Sequence, residues 1–309
     1  MGADSGKHLL NEGNNDLENQ DFNAAITYFT KAIEINPALE EMYMARGVIY
    51  QQSGDHNKAI ADYTKAIELD LKNAAAYFNR GLANGELKKY LEALVDYTKV
   101  IELEPKNASA YNNRGNVYYE LNNYIKAIED YTKVIELDPK DVNVYNNRGA
   151  AYAKLKRCIK AIADFTKAIE LDPKDVDAYN NRGLAYAELK KYPEAIADFT
   201  KAIELDPKLV LAYTARGNAY VELKKHLEAI ADFTKAIELD PKDVDAYNNR
   251  GAAYGDLKEY IEALADFTKV IELDPKDALA YSNRGHAYKS LGKKQEADAD
   301  FAKAKTLEK

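Results

Sequence analysis

Asparagine pairs recur along this chain, each beside an arginine and a glycine. The motif Tyr-Asn-Asn-Arg-Gly occurs at residues 111–115, 145–149, 179–183 and 247–251. A primary amide both donates and accepts hydrogen bonds, so a row of amides can pair with the N–H and C=O groups of an extended peptide. The chemistry that this motif suggests is therefore noncovalent recognition of a polypeptide backbone.

The second asparagine of the motif occupies a position that recurs every 34 residues. Seven of the nine residues at this position are asparagines, including Asn11, and the other two are Ala45 and Ala215. Inside a helix asparagine costs up to about 0.7 kcal/mol relative to alanine, which favours a functional reason for keeping it. Alternatively, recent duplication retains asparagine passively at a position that faces water.

Two rows of candidate peptide-binding residues follow from this motif. The main row is Asn79, Asn113, Asn147, Asn181, Asn249 and Asn283. The adjacent row, one residue earlier, is Asn112, Asn146, Asn180 and Asn248.

Arginine and aspartate occur together at the same interval. Arginine stands at Arg46, Arg80, Arg114, Arg148, Arg182, Arg216, Arg250 and Arg284, and aspartate at Asp62, Asp96, Asp130, Asp164, Asp198, Asp232, Asp266 and Asp300. The first copy has neither, with Glu12 and Tyr28 in their places. A half-buried arginine is costly unless a carboxylate meets its planar fork. The pattern predicts structural Arg–Asp pairs at the junction of two helices, in preference to an arginine ladder that binds a ligand.

Residues that could perform catalysis or bind a metal are scattered. The four histidines are His8, His56, His226 and His286, and the single cysteine, Cys158, has no histidine near it in sequence. The glycines are periodic and form no phosphate-binding loop. The sequence therefore predicts no enzyme activity, cofactor or metal. The net charge of −8 argues against binding nucleic acid or anionic membranes.

The period itself predicts the architecture. Tyrosines at 43, 77, 111, 145, 179, 213, 247 and 281 are each 34 residues apart, and a glycine follows each by four residues. Such a period is typical of a stacked repeat array. Within 177–205, apolar residues spaced by three and four predict two amphipathic helices joined by Leu-Lys-Lys-Tyr at 189–192. So short a link requires antiparallel packing, and neither helix can bury its apolar face without neighbouring copies.

The repeated unit resembles the tetratricopeptide repeat (TPR). Its aromatic, small and proline positions are filled here by Tyr179, Gly183, Tyr186, Ala195, Phe199, Ala202 and Pro207. The resemblance implies an all-α fold, a right-handed superhelical solenoid of antiparallel helix pairs. The chain departs from the family pattern at Leu71, Asn84 and Cys158, which replace a proline and two tyrosines.

The resemblance covers residues 9–309 as a single solenoid of nine repeats, after a flexible lead or tag remnant at 1–8. The expected repeats are 9–42, 43–76, 77–110, 111–144, 145–178, 179–212, 213–246, 247–280 and 281–309.

Polar residues at both ends predict a whole solenoid. The last repeat carries Gln295, Asp298 and Lys305 where internal repeats are mostly apolar, and a terminal repeat needs a polar outer face. The first repeat is also polar, with Asn14, Asn15 and Asp16. No apolar run is long enough for a signal or membrane segment, which predicts a cytoplasmic protein, although native sequence could be missing upstream.

In the family, first helices line a concave face on which extended peptides or partner helices bind. Met44, Val48, Phe78 and Leu82 either offer this face to a partner's hydrophobic anchors or pack beneath the first helices. Acidic residues favour a neutral or basic partner, and they are Glu86, Glu120, Asp177, Glu188, Glu222, Asp245 and Asp256. The candidate binding positions of the first helices lack the lysines and arginines with which some TPR domains hold a chaperone's acidic C-terminus.

These features predict a non-enzymatic scaffold for protein–protein interaction that binds an extended peptide or partner segment in its concave groove. Two alternatives remain open. One is a self-assembling homo-oligomeric scaffold, and the other is the targeting arm of a larger enzyme whose catalytic domain lies upstream.

Overall fold

The computed structural model of the chain describes His8, Leu9, Glu12 and residues 21–307, and residues 21–307 contain helices and turns but no strand. The helices are α1 (Phe22–Ile35), α2 (Glu40–Gln52), α3 (His56–Leu69), α4 (Ala74–Glu86), α5 (Tyr90–Leu103), α6 (Ala108–Glu120), α7 (Tyr124–Leu137), α8 (Val142–Lys154), α9 (Cys158–Leu171), α10 (Val176–Glu188), α11 (Tyr192–Leu205), α12 (Val210–Glu222), α13 (His226–Leu239), α14 (Val244–Asp256), α15 (Tyr260–Leu273), α16 (Ala278–Ser290) and α17 (Lys294–Leu307). Asn11, Asn14, Asn15 and Asp16 lie outside the described residues, as does nearly all of the lead at 1–8.

The chain divides into two compact units, an N-terminal unit at Met1–Leu155 and a C-terminal unit at Lys156–Lys309. The even-numbered helices are the first helices of the repeats, and the odd-numbered helices are the second. In the N-terminal unit α2 packs on α3, α4 on α5 and α6 on α7, and each second helix packs on the next first helix. The C-terminal unit repeats this order from α10–α11 to α16–α17. The predicted all-α solenoid of antiparallel helix pairs is confirmed.

Side-chain caps begin most of the first helices. Asp175 accepts a hydrogen bond from the Ala178 N–H at 2.9 Å, and Asn107 accepts one from the Ala110 N–H at 3.0 Å. Each cap satisfies one of the four backbone donors that a helix leaves unpaired, and such a cap contributes about 1 kcal/mol. The Asp-Pro-Lys-Asp turn at 172–175 follows the end of α9 at Leu171, and its last aspartate caps the start of α10.

The turn inside each helix pair contains one residue in the left-handed conformation. This residue is Lys190 in the α10–α11 turn, with φ of +59°, and Gly54 in the α2–α3 turn, with φ of +80°. The Lys190 N–H donates to the Ala187 carbonyl at 2.8 Å, and the Lys191 N–H donates to the Tyr186 carbonyl at 2.9 Å. These bonds satisfy carbonyls at the end of α10 and reverse the chain within a few residues.

Glycine lets the two helices of a pair approach closely, as its position in the repeat predicts. A Cβ added to Gly183 would lie 2.6 Å from the Phe199 ring, and one added to Gly47 would lie 2.7 Å from the Tyr63 ring. Side chains do not tolerate such distances, so the aromatic ring of the second helix occupies the space that the glycine leaves. Ala195 is fully buried beside this contact.

The last described helix, α17, presents Gln295, Asp298 and Lys305 to solvent. For Gln295, the expectation that internal repeats cover the corresponding apolar residue is wrong. Its counterparts on internal second helices are also solvent-exposed, with Leu91 at 70% and Ile159 at 76%. A neighbouring repeat therefore does not cover this position anywhere in the described helices.

Candidate peptide-binding surface

The main amide row lies in the middle of the first helices. Asn79, Asn113 and Asn147 lie on α4, α6 and α8 of the N-terminal unit, and Asn181, Asn249 and Asn283 lie on α10, α14 and α16 of the C-terminal unit. All six side chains are partly exposed. In each unit, we call the side of the first helices that carries this row, together with the exposed positions one turn before and after it, the first-helix face of that unit.

Three amides of the main row bond to amides of a neighbouring first helix. Asn147 Nδ2 donates to Asn116 Oδ1 at 3.4 Å. Asn249 Nδ2 donates to Asn218 Oδ1 at 3.1 Å, and Asn283 Nδ2 donates to Asn248 Oδ1 at 3.2 Å. These bonds supply a structural reason for asparagine that the sequence did not reveal, because they tie successive repeats together.

The remaining amides of the main row form no hydrogen bond to a neighbouring repeat within the described residues. Asn113 Nδ2 donates to the Ser109 carbonyl of its own helix at 2.9 Å. Within the described part of the chain, the amides of Asn79 and Asn181 form no hydrogen bond. Their amides are therefore open to a ligand.

The adjacent row lies deeper. The Asn180 side chain is buried, and Asn112, Asn146 and Asn248 are partly buried. The Oδ1 atoms of Asn112 and Asn180 have no hydrogen-bond partner although they are inaccessible to solvent. The burial of Asn180 leaves the main row as the more accessible of the two.

Seven of the eight recurring arginines are held at three points. Arg182 Nε donates to Asp198 Oδ2 at 2.8 Å and its Nη2 donates to Asp198 Oδ1 at 2.7 Å. Its Nη1 donates to Thr166 Oγ1, on the second helix of the preceding repeat, at 3.0 Å. The hydrogen bond to Asp198 raises the pKa of Arg182 above its ordinary value, so the guanidinium stays charged.

The same arrangement recurs and confirms the predicted pairs. Bidentate pairs join Arg46 to Asp62, Arg80 to Asp96, Arg114 to Asp130, Arg216 to Asp232, Arg250 to Asp266 and Arg284 to Asp300. Arg148 donates to Thr132 Oγ1 at 3.0 Å. Asn84, which departs from the family pattern, joins the Arg80 pair by donating to Asp96 Oδ2 at 3.2 Å. The threonine contact was not foreseen, although a threonine precedes each arginine by sixteen residues.

The apolar residues near the N-terminus serve the core. Met44 and Phe78 pack against the cluster around Tyr43 and Tyr77. Phe78 also contacts the Tyr97 ring edge-on, with 5.8 Å between the centroids. Of the two roles that the sequence allowed for these side chains, the structure shows packing beneath the first helices.

A pocket opens on the first-helix face of the N-terminal unit. Its volume is about 440 Å³, and it is lined by Asn116, Tyr119, Glu120, Tyr131, Asn147 and Ala150. Tyr131 donates its hydroxyl proton to Asn116 Oδ1 at 2.8 Å, so this amide oxygen is shared between Tyr131 and Asn147. The pocket wall therefore combines a fixed amide network with the exposed carboxylate of Glu120.

No group of three or more potential metal ligands occurs among the described residues. Cys158 is buried and forms no disulfide with any described residue. His226 Nδ1 is buried, and it lies 3.7 Å from Asp256 Oδ2. No helix within the described ranges is long and apolar enough to cross a membrane.

TPR family models match most of the chain. The model described as TPR repeat matches residues 49–88, 86–122, 115–156, 160–190 and 217–258. Models described as Tetratricopeptide repeat match residues 10–39, 176–209, 244–277 and 267–299. The chain therefore belongs to the tetratricopeptide repeat family, whose members are generally non-enzymatic scaffolds for protein–protein interaction.

Solved structures show the same fold. The crystal structure of MamA protein is 29% identical, with a TM-score of 0.54 over 56% of this chain and 94% of that one. YrrB, described as a TPR protein with an unusual peptide-binding site, is 27% identical, with a TM-score of 0.53 over 60% and 95%. A TPR protein from Parabacteroides merdae ATCC 43184, at 24% identity, has a TM-score of 0.61 over 80% and 98%. No curated protein matches the chain.

Proposed function

We propose that this protein holds an extended segment of a partner protein on its first-helix face, with the main amide row pairing with the partner's backbone. The observation that carries the proposal is the pair of open amides at Asn79 and Asn181, which are partly exposed and unbonded within the described residues. An amide at such a position can donate to a backbone carbonyl and accept from a backbone N–H.

The bonded amides of the row support the same role. Asn147 and Asn249 donate through Nδ2 to a neighbouring repeat, which leaves each Oδ1 available to a ligand. The inter-repeat bond also fixes the orientation of the amide before a ligand arrives. Preorganised groups bind more tightly because less side-chain freedom is lost on binding. The peptide-binding site described for YrrB, which shares the fold, is consistent with this use of the surface.

The proposal is tested with peptides selected from a random displayed library against the full chain. The affinity of a selected peptide is measured by fluorescence anisotropy for the wild type, for Asn79→Ala/Asn113→Ala and for Asn181→Ala/Asn249→Ala. We expect at least one double variant to bind about tenfold more weakly, which corresponds to about 1.4 kcal/mol. Alanine favours helix, so Asn79→Ala/Asn113→Ala should not lose stability in thermal melting. Asn181→Ala/Asn249→Ala also removes the bond from Asn249 to Asn218, so its affinity is measured at a temperature where melting shows it to be folded.

A matched control uses asparagines on second helices. Asn23 and Asn57 are exposed on α1 and α3, and the variant Asn23→Ala/Asn57→Ala should keep the wild-type affinity. Equal affinity of all three variants would contradict the proposal. Self-assembly stays a separate prediction, which light scattering over a range of protein concentrations tests directly.

A further inference from the structure

Leucine and aspartate alternate at one exposed position of the first helices in the C-terminal unit. The position is Asp177 on α10, Leu211 on α12, Asp245 on α14 and Leu279 on α16. Leu211 is 69% exposed and Leu279 is 58% exposed, while both aspartates are exposed. Two turns along α10, Leu184 is 47% exposed and adds to the apolar surface. Exposed leucines alone do not distinguish this face, because Leu227 and Ile261 on second helices are also exposed. The distinguishing feature is the alternation of leucine with aspartate.

The unpaired charges that the four helices themselves place on this face are mainly negative, and exposed turn lysines precede the four positions by three residues, at Lys174, Lys208, Lys242 and Lys276. Asp177 and Asp245 form no ion pair or hydrogen bond with any described residue. The arginines of these four helices do not offset them, because each one is bonded to a buried aspartate of its own repeat. The only other cation on these four helices is Lys289, near the end of α16.

The spacing of the alternation sets the pattern of a partner. Neighbouring packed helices are roughly 10 Å apart, and an extended chain rises about 3.3 Å per residue. One repeat therefore corresponds to about three residues of an extended ligand. Leu211 and Leu279, two repeats apart, would contact side chains about six residues apart, and Asp245 would contact the residue midway between them.

We propose that the first-helix face of the C-terminal unit binds an extended segment in which apolar and basic side chains alternate about every three residues. The leucines contact the apolar side chains, and Asp177 and Asp245 pair with the lysines or arginines. The proposal rests on the peptide-binding function above and adds the chemical class of the ligand.

The second-helix surface of α13 and α15 in a second copy is a poor occupant of the face. The exposed apolar residues there, Leu227 and Ile261, are directly followed by Glu228 and Glu262, whereas Ile159 on α9 is followed by Lys160. Apposing these helices to Asp177 and Asp245 would bring like charges together, which costs binding energy. An acidic partner fails for the same reason.

The test uses three labelled synthetic peptides and the full chain. The first has two leucines roughly six residues apart, with lysines midway and beyond, in a serine background. The second replaces the lysines with glutamates, and the third scrambles the order of the first. Fluorescence anisotropy should show the lysine peptide binding at least about tenfold more tightly than the other two, with affinity that falls as salt is added.

Protein variants separate this inference from the proposed function. Leu211→Asn/Leu279→Asn and Asp177→Asn/Asp245→Asn should each weaken binding of the lysine peptide by about fivefold or more. The matched controls Leu227→Asn/Ile261→Asn and Glu228→Gln/Glu262→Gln alter equally exposed residues on second helices and should not change it. Circular dichroism verifies that every variant is folded.

Each outcome decides between the two proposals. If the leucine and aspartate variants bind like the wild type while Asn249→Ala/Asn283→Ala binds weakly, this inference is wrong and the amide function stands. If the reverse pattern is found, the inference stands and the amide function is wrong. Equal binding of the lysine and glutamate peptides, or no binding of the lysine peptide, overturns the inference.

Discussion

At the scale of single residues, the recurring arginine joins its own repeat to the preceding one. Its bonds to an aspartate of the same repeat and a threonine of the preceding one satisfy three of its N–H groups. The Asp198 side chain is 8% exposed and that of Arg182 is 17% exposed, so both charges are largely removed from water. Such a pair stabilises the fold only while both partners are present.

Removing one partner of the pair should lower the stability of the protein strongly, and removing both partners should lower it far less. Asp198→Ala leaves Arg182 without its carboxylate, and we expect it to destabilise the protein by about 3–5 kcal/mol. Arg182→Leu/Asp198→Leu should regain most of this loss, because apolar residues of similar volume can replace a buried ion pair. Urea unfolding and hydrogen exchange of α10 and α11 would measure both. Near-wild-type stability of Asp198→Ala would show that the pair contributes little.

Replacing a single glycine by alanine should change stability in opposite directions at two positions. Gly183 faces the Phe199 ring, so Gly183→Ala should overpack the α10–α11 contact and destabilise by about 1–3 kcal/mol. Gly255 lies near the end of α14 with open space where its Cβ would be. Gly255→Ala should therefore stabilise by about 0.5–1 kcal/mol, since alanine favours helix. Thermal melting of the two variants should give shifts of opposite sign, and shifts of the same sign would contradict this account.

At the scale of elements, the turn between paired helices is built for glycine but is mostly filled by lysine. The left-handed position holds Gly54 and Gly292 at two turns, and Lys190, Lys224 and Lys258 at others. A residue with a Cβ pays roughly 1–2 kcal/mol in this conformation. This conformation recurs in every described turn within a helix pair, where it lets the chain reverse within a few residues.

Replacing a turn lysine should relieve this strain. Lys190→Gly is expected to stabilise the protein by about 0.5–1 kcal/mol, the strain relieved being partly offset by the greater freedom of glycine in the unfolded chain. Lys208 is an exposed loop residue without a positive φ, so Lys208→Gly is a suitable control and should give no gain. Chemical denaturation of both variants measures the difference. A loss of stability in Lys190→Gly would show that the lysine side chain itself stabilises the turn.

At the scale of the whole molecule, the two units differ in the aromatic ring beneath their first helices. The N-terminal unit buries Phe29 on α1 and then Tyr63, Tyr97 and Tyr131 at this position, whereas the C-terminal unit has Phe165, Phe199, Phe233, Phe267 and Phe301. Burial raises the pKa of the three tyrosine phenols well above their ordinary value.

The N-terminal unit should therefore lose stability at alkaline pH. The raised pKa means that folding favours the neutral phenol, so its contribution is complete below about pH 10 and declines as pH rises from there towards the folded pKa. The decline is at most about 1.4 kcal/mol per pH unit for each phenol. Tyr63→Phe/Tyr97→Phe/Tyr131→Phe should show a flatter decline in denaturation experiments between about pH 9 and pH 11.5. An unchanged slope would contradict the assignment.

Much of the fold followed from the sequence because the period is strict. The spacing of Tyr179 and Gly183, with Phe199 sixteen residues after the glycine, predicted the helix pair and its close contact. The coincidence of arginine and aspartate predicted seven ion pairs that the structure contains. These predictions succeeded because a repeat makes the same contact many times, so the sequence displays it as a pattern.

The candidate site could be predicted only in part. The sequence placed the main amide row on the first helices and left its exposure open. It did not reveal that Asn147, Asn249 and Asn283 bond to neighbouring repeats, because that contact depends on which side chain of the adjacent first helix lies within reach. Nor did it show that Leu211 and Leu279 are exposed, since apolar residues on a helix are usually buried.

By itself, then, the sequence determined the repeat, the helix pairs, the buried ion pairs and the family, all of which depend on spacing along one chain. The tertiary structure decided which amides are bonded, which are open, and where apolar and acidic side chains meet on one face. The physical reason is that accessibility and hydrogen bonding depend on the distance between neighbouring repeats. A period in the sequence specifies that such neighbours exist but does not fix the positions of their side chains.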